Sequence, residues 1–243
     1  MGAHGCSVLG FIARLRERLS PGSYFGLQIA AGVAVLAGGA WLFGGIAEDV
    51  VTGDRIVALD LQTERWFHHH QTPWLNSILA GIGLLHEWPA VTGATVLLLA
   101  YLLWRHDWRW LTTVICAVPG GMLLDVVLKV AFHRARPTLS DLSAALNTYS
   151  FPSGHVMAAT LIYGVVATYV TARLAAWRWG VVAFLVACLL VALVAFSRIY
   201  VGVHYLSDVL AASAAGVTWL ALCLVAVDTL WYRRGRRHNN AAG

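Results

Sequence analysis

An all-α polytopic membrane fold, six transmembrane helices with an extracytoplasmic interfacial helix between the first two, is predicted by three features of the sequence. Of the 243 residues, 59% are hydrophobic and only 12% charged, and the mean hydropathy is +0.68, outside the range of soluble domains. Six charge-poor runs each approach the roughly 20 residues needed to cross a bilayer. Basic residues gather beside alternate ends of those runs, which sets an orientation.

The first run, 27–47, follows Arg14, Arg16 and Arg18. It is too long for a signal h-region, so no cleavage is expected. MGAHGC departs from the myristoylation pattern at Cys6. Between this run and the second, 88–104, lies a long segment in which Glu48, Asp49, Asp54, Asp60 and Glu64 outnumber Arg55 and Arg65. Within it, DRIVALDLQTERWF sets Ile56, Leu59, Thr63 and Trp66 along one helical side with acids on the other, which predicts the interfacial helix. The apolar stretch 75–85 is read as a re-entrant piece or as the start of a second span broken near Pro89. His68, His69 and His70 are consecutive and would point in three directions on a helix, so they are expected to be a solvated patch rather than a metal site.

The third run, 110–128, carries Asp125 and a kink candidate at Pro119-Gly120-Gly121. The fourth, fifth and sixth are 156–172, 179–197 and 209–227. Arg105 and Arg109 lie between runs two and three, Arg173 and Arg178 between four and five, and Arg233, Arg234, Arg236 and Arg237 after six. Under the positive-inside rule these segments and both termini are cytoplasmic, and the acidic segment is outside. The expected location is the inner (plasma) membrane. The net charge of +5 is then a topology signal with contacts to anionic lipid, and no nucleic-acid partner is called for. The four cysteines are scattered with no CxxC pair, which speaks for packing rather than disulfides or metal. No internal repeat interrupts residues 1–243, which read as a single membrane domain.

Three polar stretches remain outside on one face: KVAFHRARP (129–137), FPSGH (151–155) and SRIYVGVHYLSD (197–208). Each alone has an ordinary explanation. Lys129 and Arg198 could snorkel from helix ends, Ser153 could merely cap a helix, and His204 with Asp208, or Asp125 with Lys129, could be i,i+4 pairs. Together they put four cations, two histidines, a serine and a carboxylate at one end of the bundle, and intramembrane clusters of this kind are costly unless used. Lys129 is the only lysine among 17 basic residues, which points to a need for a compact ammonium there.

The residue types describe phosphate chemistry. Lys129, Arg136 and Arg198 can surround a dianion, each arginine gripping two oxygens. The Ser153 hydroxyl and the amides of Gly154 and His155 form an anion site at a helix N-terminus. His204 is placed to attack phosphorus, with Asp208 one turn on to fix its tautomer, and His155 is placed to protonate the departing oxygen. No cofactor and no metal ligands are implied.

Lys129 and, after six residues, Arg136-Pro137, then Pro152-Ser153-Gly154-His155, then Ser197-Arg198 with His204 and Asp208 together resemble the three-part signature of the type 2 phosphatidic acid phosphatase (PAP2) superfamily at every position. The motifs cover about residues 110–215. The resemblance implies a metal-independent membrane phosphatase acting on lipid phosphates or prenyl pyrophosphates, of the phosphatidylglycerol phosphate, phosphatidate and undecaprenyl pyrophosphate class, through a phosphohistidine on His204. A phosphotransferase using the same phosphohistidine and a non-enzymatic lipid or anion transporter are the alternatives. Headgroup preference is expected to lie with His133, Arg134 and residues 141–147. Nothing in the sequence sets the oligomeric state.

Overall fold

The structure, a computed structural model, describes residues 21–241 apart from 145 and 175. Cys6 and the arginines at 14, 16 and 18 lie outside the described residues. Every described element is helical: α1 Pro21–Thr52, α2 Arg55–His70, α3 Pro73–Leu84, α4 Trp88–Trp104, α5 Trp108–Phe132, α6 Gly154–Arg173, α7 Trp177–Tyr200 and α8 Leu206–Ala241, with a single turn, Asp141–Ala144, between α5 and α6. Stretches of α1, α5, α6, α7 and α8 are each long and apolar enough to cross a membrane. The pair α3 and α4 supplies a sixth crossing if counted as one bent span. These two helices meet at 46° across residues 85–87, and a proline lies in the first turn of each. The apolar stretch 75–85 is thus the first arm of a bent pair.

α6 is the centre. Its opening turns, Val156 through Leu161, are buried without a polar face, as befits a helix surrounded by others. α5, α7 and α8 pack around it, α1 runs along α8, α3 lies on α7 and α4 on α5. In hydrocarbon the association of helices rests on close packing rather than on apolar transfer. Small residues permit it: a Cβ on Gly216 of α8 would sit 2.9 Å from Thr160 Cγ2 of α6. Leu161 is fully buried, and truncating such a leucine to alanine costs about 2–5 kcal/mol in well-packed cores. α5 runs unbroken through Pro119, and Trp219 Nε1 of α8 donates to the Cys116 carbonyl one turn earlier, at 3.1 Å.

α5 ends where His133 takes a left-handed conformation (φ 47°), and α7 ends just before Gly202 (φ 74°). Both turns send the chain back over the same end of the bundle, where α6 and α8 begin. α2 crosses that end, packed against α1, α7 and α8. The sequence leaves open which of its two sides meets the protein. Leu59 and Trp66 are half exposed or more, whereas Asp60 is 1% exposed and Glu64 accepts the backbone N–H groups of Thr138 and Leu139. The acidic side of α2 faces the protein because backbone and arginine donors wait there.

Candidate active site

His204 lies in the turn between α7 and α8, and Asp208 in the first turn of α8. His204 Nδ1 is 3.4 Å from Asp208 Oδ2, and its Nε2 faces Arg136 Nη1, also at 3.4 Å. With Asp208 as acceptor the proton sits on Nδ1, leaving the Nε2 lone pair turned toward the cationic side. Both residues are buried, His204 at 3% exposure and Asp208 at 0%. Burial, opposed by Asp208, lowers the His204 pKa to about 4, so the ring is neutral at ordinary pH.

Asp208 is held by more than histidine. Its Oδ2 accepts the Ser150 hydroxyl and the Tyr205 backbone N–H at 2.9 Å. Its Oδ1 accepts Arg134 Nη1 at 2.6 Å. Arg134 turns its other amino group to Asp60 Oδ2 at 2.7 Å and lies over the Tyr205 ring. The expectation that Arg134 serves headgroup preference is therefore corrected: its fork points inward and is spent on two buried carboxylates. Ser150, Ser207 and Asp60 are not among the site residues expected from the sequence, and Arg134 is expected there only for headgroup preference. Arg134 alone carries a signal, as an arginine within the first polar stretch.

Lys129, on the last turn of α5, bonds Asp125 Oδ1 at 2.9 Å and the Pro152 carbonyl. The i,i+4 pair is formed, and it lies beside the start of α6. A Cβ on Gly154 would stand 2.9 Å from Asp125 Oδ2, so only glycine lets the Asp125 carboxylate come this close to the start of α6. Ser153 occupies the N-cap position but makes no side-chain cap bond. Its backbone N–H donates to the Asp208 carbonyl at 3.2 Å, tying α6 to α8. Ser153 Oγ and His155 Nε2 are both buried with no hydrogen-bond partner among the described residues. Two orphan polar atoms at one helix N-terminus are costly unless a ligand takes them. The His155 ring lies within electrostatic reach of Arg198, His204, His86 and Arg136.

The two arginines are less free than the expectation of a bidentate grip from each. Thr148 takes the outer edge of Arg136 through its carbonyl (2.8 Å) and hydroxyl (2.7 Å). Nη1 bonds the Val203 carbonyl at 2.9 Å on the side that faces His204. Arg198, 5% exposed, gives Nη2 to the Leu79 carbonyl (2.8 Å) and Nε to Ser197 Oγ (3.1 Å), leaving Nη1 without an acceptor among the described residues. Nearby, His86 in the α3–α4 break accepts or donates at Tyr163 Oη, 2.9 Å away. Among the described residues no group of three or more His, Cys, Asp or Glu side chains is placed to hold a metal ion, and His70 stacks on Trp66 instead.

The family model of the PAP2 superfamily matches residues 110–232, just over half of the chain. The chain belongs to the PAP2 superfamily. Phosphatidylglycerophosphatase B of Bacillus subtilis is 31% identical over 147 residues, covering 60% of this chain and 71% of the relative. The undecaprenyl-diphosphatase of Sulfolobus acidocaldarius is 26% identical over 188 residues, 74% of this chain and 84% of the relative. Among solved structures, the transmembrane PAP2-type phosphatidylglycerolphosphate phosphatase of Bacillus subtilis superposes with a TM-score of 0.66 at 27% identity, covering 79% of this chain and 93% of that one. A PAP2 chain with such relatives is a phosphoester hydrolase of the membrane. The family match begins in α5, so α1 to α4, with Asp60, Leu79 and His86, lie outside it.

Proposed function

We propose that this protein is a metal-independent lipid phosphatase or pyrophosphatase, with six crossings, α2 lying in the outer interface, both termini cytoplasmic and the site at the extracytoplasmic end of the bundle. One observation carries the reading. The neutral, carboxylate-held imidazole of His204 lies within electrostatic reach of His155, and Ser153 Oγ and His155 Nε2 at the N-terminus of α6 are both buried without a hydrogen-bond partner among the described residues. A phosphoryl group satisfies these groups and is met by Lys129, Arg136, Arg198 Nη1, which has no acceptor among the described residues, and the α6 amides.

In the first step the His204 Nε2 lone pair forms the N–P bond as the P–O bond to the lipid breaks. His155 gives its proton to the departing oxygen. Asp208 stabilises the positive charge that develops on the ring. In the second step His155 takes a proton from water, the water oxygen bonds to phosphorus, and the N–P bond breaks to release inorganic phosphate and neutral His204. A site at headgroup depth lets the substrate tail stay in hydrocarbon, which favours the substrates of the named relatives, phosphatidylglycerophosphate and undecaprenyl diphosphate.

The test is free phosphate release by the purified protein in detergent with chelator, from phosphatidate, phosphatidylglycerol phosphate and prenyl diphosphates. Turnover that survives chelator and vanishes in His204→Ala is the expected result. Phosphate appearing on an added lipid alcohol in place of water would make it the transferase alternative. No turnover on any of the three classes would overturn the reading.

A further inference from the structure

Asp60 belongs to α2, outside the segment that the PAP2 family model matches, yet it is 1% exposed and is bonded to the surroundings of the catalytic carboxylate. Its Oδ1 accepts the Ser207 backbone N–H at 2.9 Å, its Oδ2 accepts the Ser207 hydroxyl, and its Oδ2 also accepts Arg134 Nη2 at 2.7 Å. Ser207 directly precedes Asp208, and Arg134 Nη1 bonds both Ser207 Oγ and Asp208 Oδ1, each at 2.6 Å. The guanidinium that fixes Asp208 Oδ1 is thereby fixed in turn by Asp60.

The charges decide what this does. A guanidinium paired with Asp208 alone would neutralise it, and a neutralised carboxylate lends little to a cation forming on His204. Two buried carboxylates sharing one guanidinium keep one net negative charge beside the ring, where the low local dielectric makes it count. We propose that Asp60 is a positioning residue for the triad: by taking half of Arg134 and pinning Ser207, it orients Asp208 and preserves the negative charge that stabilises phosphorylated His204. The inference rests on the phosphohistidine reading above. α2 is then a strut for the chemistry in addition to a cover for the bundle end.

The experiment compares wild type, Asp60→Asn, Asp60→Glu and Arg134→Lys, with His204→Ala as control, in detergent on one lipid phosphate. It reads kcat and KM separately, together with the thermal unfolding midpoint. Asp60→Asn keeps the shape but removes the charge and turns one acceptor into a donor. It should lower kcat by about tenfold or more with KM within about twofold, and Asp60→Glu should recover most of that loss. On an Asp208→Asn background, single-turnover rates should change little on adding Asp60→Asn, because Asp60 acts through Asp208. Should Asp60→Asn fail to insert, Arg134→Lys carries the test, since a lysine ammonium lacks the planar fork whose two amino groups hold Asp60 and Asp208 in one fixed geometry; the same fall in kcat at constant KM is expected. A kcat within about twofold of wild type for the charge-removing variant, or a loss that Asp60→Glu shares in full, or full additivity with Asp208→Asn, overturns the inference. Turnover by His204→Ala would instead sink the phosphohistidine reading and this one with it.

Discussion

A Cβ placed on Gly83 would fall within the guanidinium of Arg198. The last turn of α3 lies flat on that guanidinium, and the Leu79 carbonyl one turn earlier accepts its Nη2. Arg198 is thus aimed by the absence of a side chain on a neighbouring helix. Gly83→Ala, an ordinary helix substitution elsewhere, should push the guanidinium or α3 aside by about 1 Å. Displacements of that size cost on the order of 100-fold in rate. The check is kcat/KM on a lipid phosphate together with inhibition by inorganic phosphate. A variant that inserts, melts normally and keeps wild-type phosphate inhibition would show that Arg198 does not bind the phosphoryl group.

The pH profile tests the burial of His204. Asp208 and Ser150 face its Nδ1 side and Arg136 its Nε2, Lys129 lies within electrostatic reach, and burial dominates, holding the imidazole at about 4. The attacking form is the neutral ring. With a pKa near 4, about nine-tenths of it is neutral at pH 5, against about 3% for an ordinary imidazole. After correction for the second ionisation of the phosphoester, at about 6, kcat/KM should hold to about pH 5 and halve near pH 4. The unfolded chain binds the extra proton between 6.5 and about 4. Stability from this group is therefore complete above 6.5 and lost as pH falls through about 4. A limb centred near 6.5 would mean that the ring is solvated.

His155 should show its role through the leaving group. Its Nε2 is buried with no partner among the described residues, which suits a proton donor aimed at substrate. A lipid alkoxide departs poorly without a proton, whereas nitrophenolate needs none. His155→Ala should therefore cut turnover of a lipid phosphate by about 100- to 10,000-fold while the burst of nitrophenol from an aryl phosphate survives and phosphoenzyme accumulates. Equal losses on both substrates would remove His155 from proton transfer.

How much of this was legible in the sequence depends on the range of the interaction. The spans were legible because each is a local run: α5, α6, α7 and α8 contain runs 110–128, 156–172, 179–197 and 209–227. The face of α2 was not. Ile56, Leu59, Thr63 and Trp66 define an apolar side that would suit an interface, but the partners of Asp60 and Glu64 lie far along the chain at Arg134, Ser207, Thr138 and Leu139. The residue types at His204, Asp208, Lys129 and Ser153 point to phosphate chemistry as an expectation, and the fold brings them to one end of the bundle. Ser150 and Thr148, which hold Asp208 and Arg136, carry no sequence signal, because a loop serine or threonine gives no sign of its acceptor. The carbonyls at Val203 and Leu79 that compete for the donors of Arg136 and Arg198 are invisible until the chain folds, for the same reason.

Lys129→Arg addresses why the only lysine of the chain stands where it does. Lys129 Nζ is wedged between Asp125 Oδ1 and the Pro152 carbonyl, and Gly154 leaves room for the carboxylate it pairs with. An ammonium is compact and can donate in three directions, two of them to these acceptors and the third to a phosphoryl oxygen. A guanidinium is planar and longer, so it keeps the charge but must displace either α6 or Asp125. If charge alone mattered, Lys129→Arg would be nearly silent and Lys129→Met severe. Because shape also matters, both should lose on the order of 100-fold in kcat/KM. Lys129→Met should in addition destabilise the fold, because it leaves Asp125 buried and unpaired at 4% exposure. Kinetics and unfolding midpoints on the two variants separate the cases, and a Lys129→Arg enzyme with wild-type kcat/KM would leave the compact-ammonium argument without support.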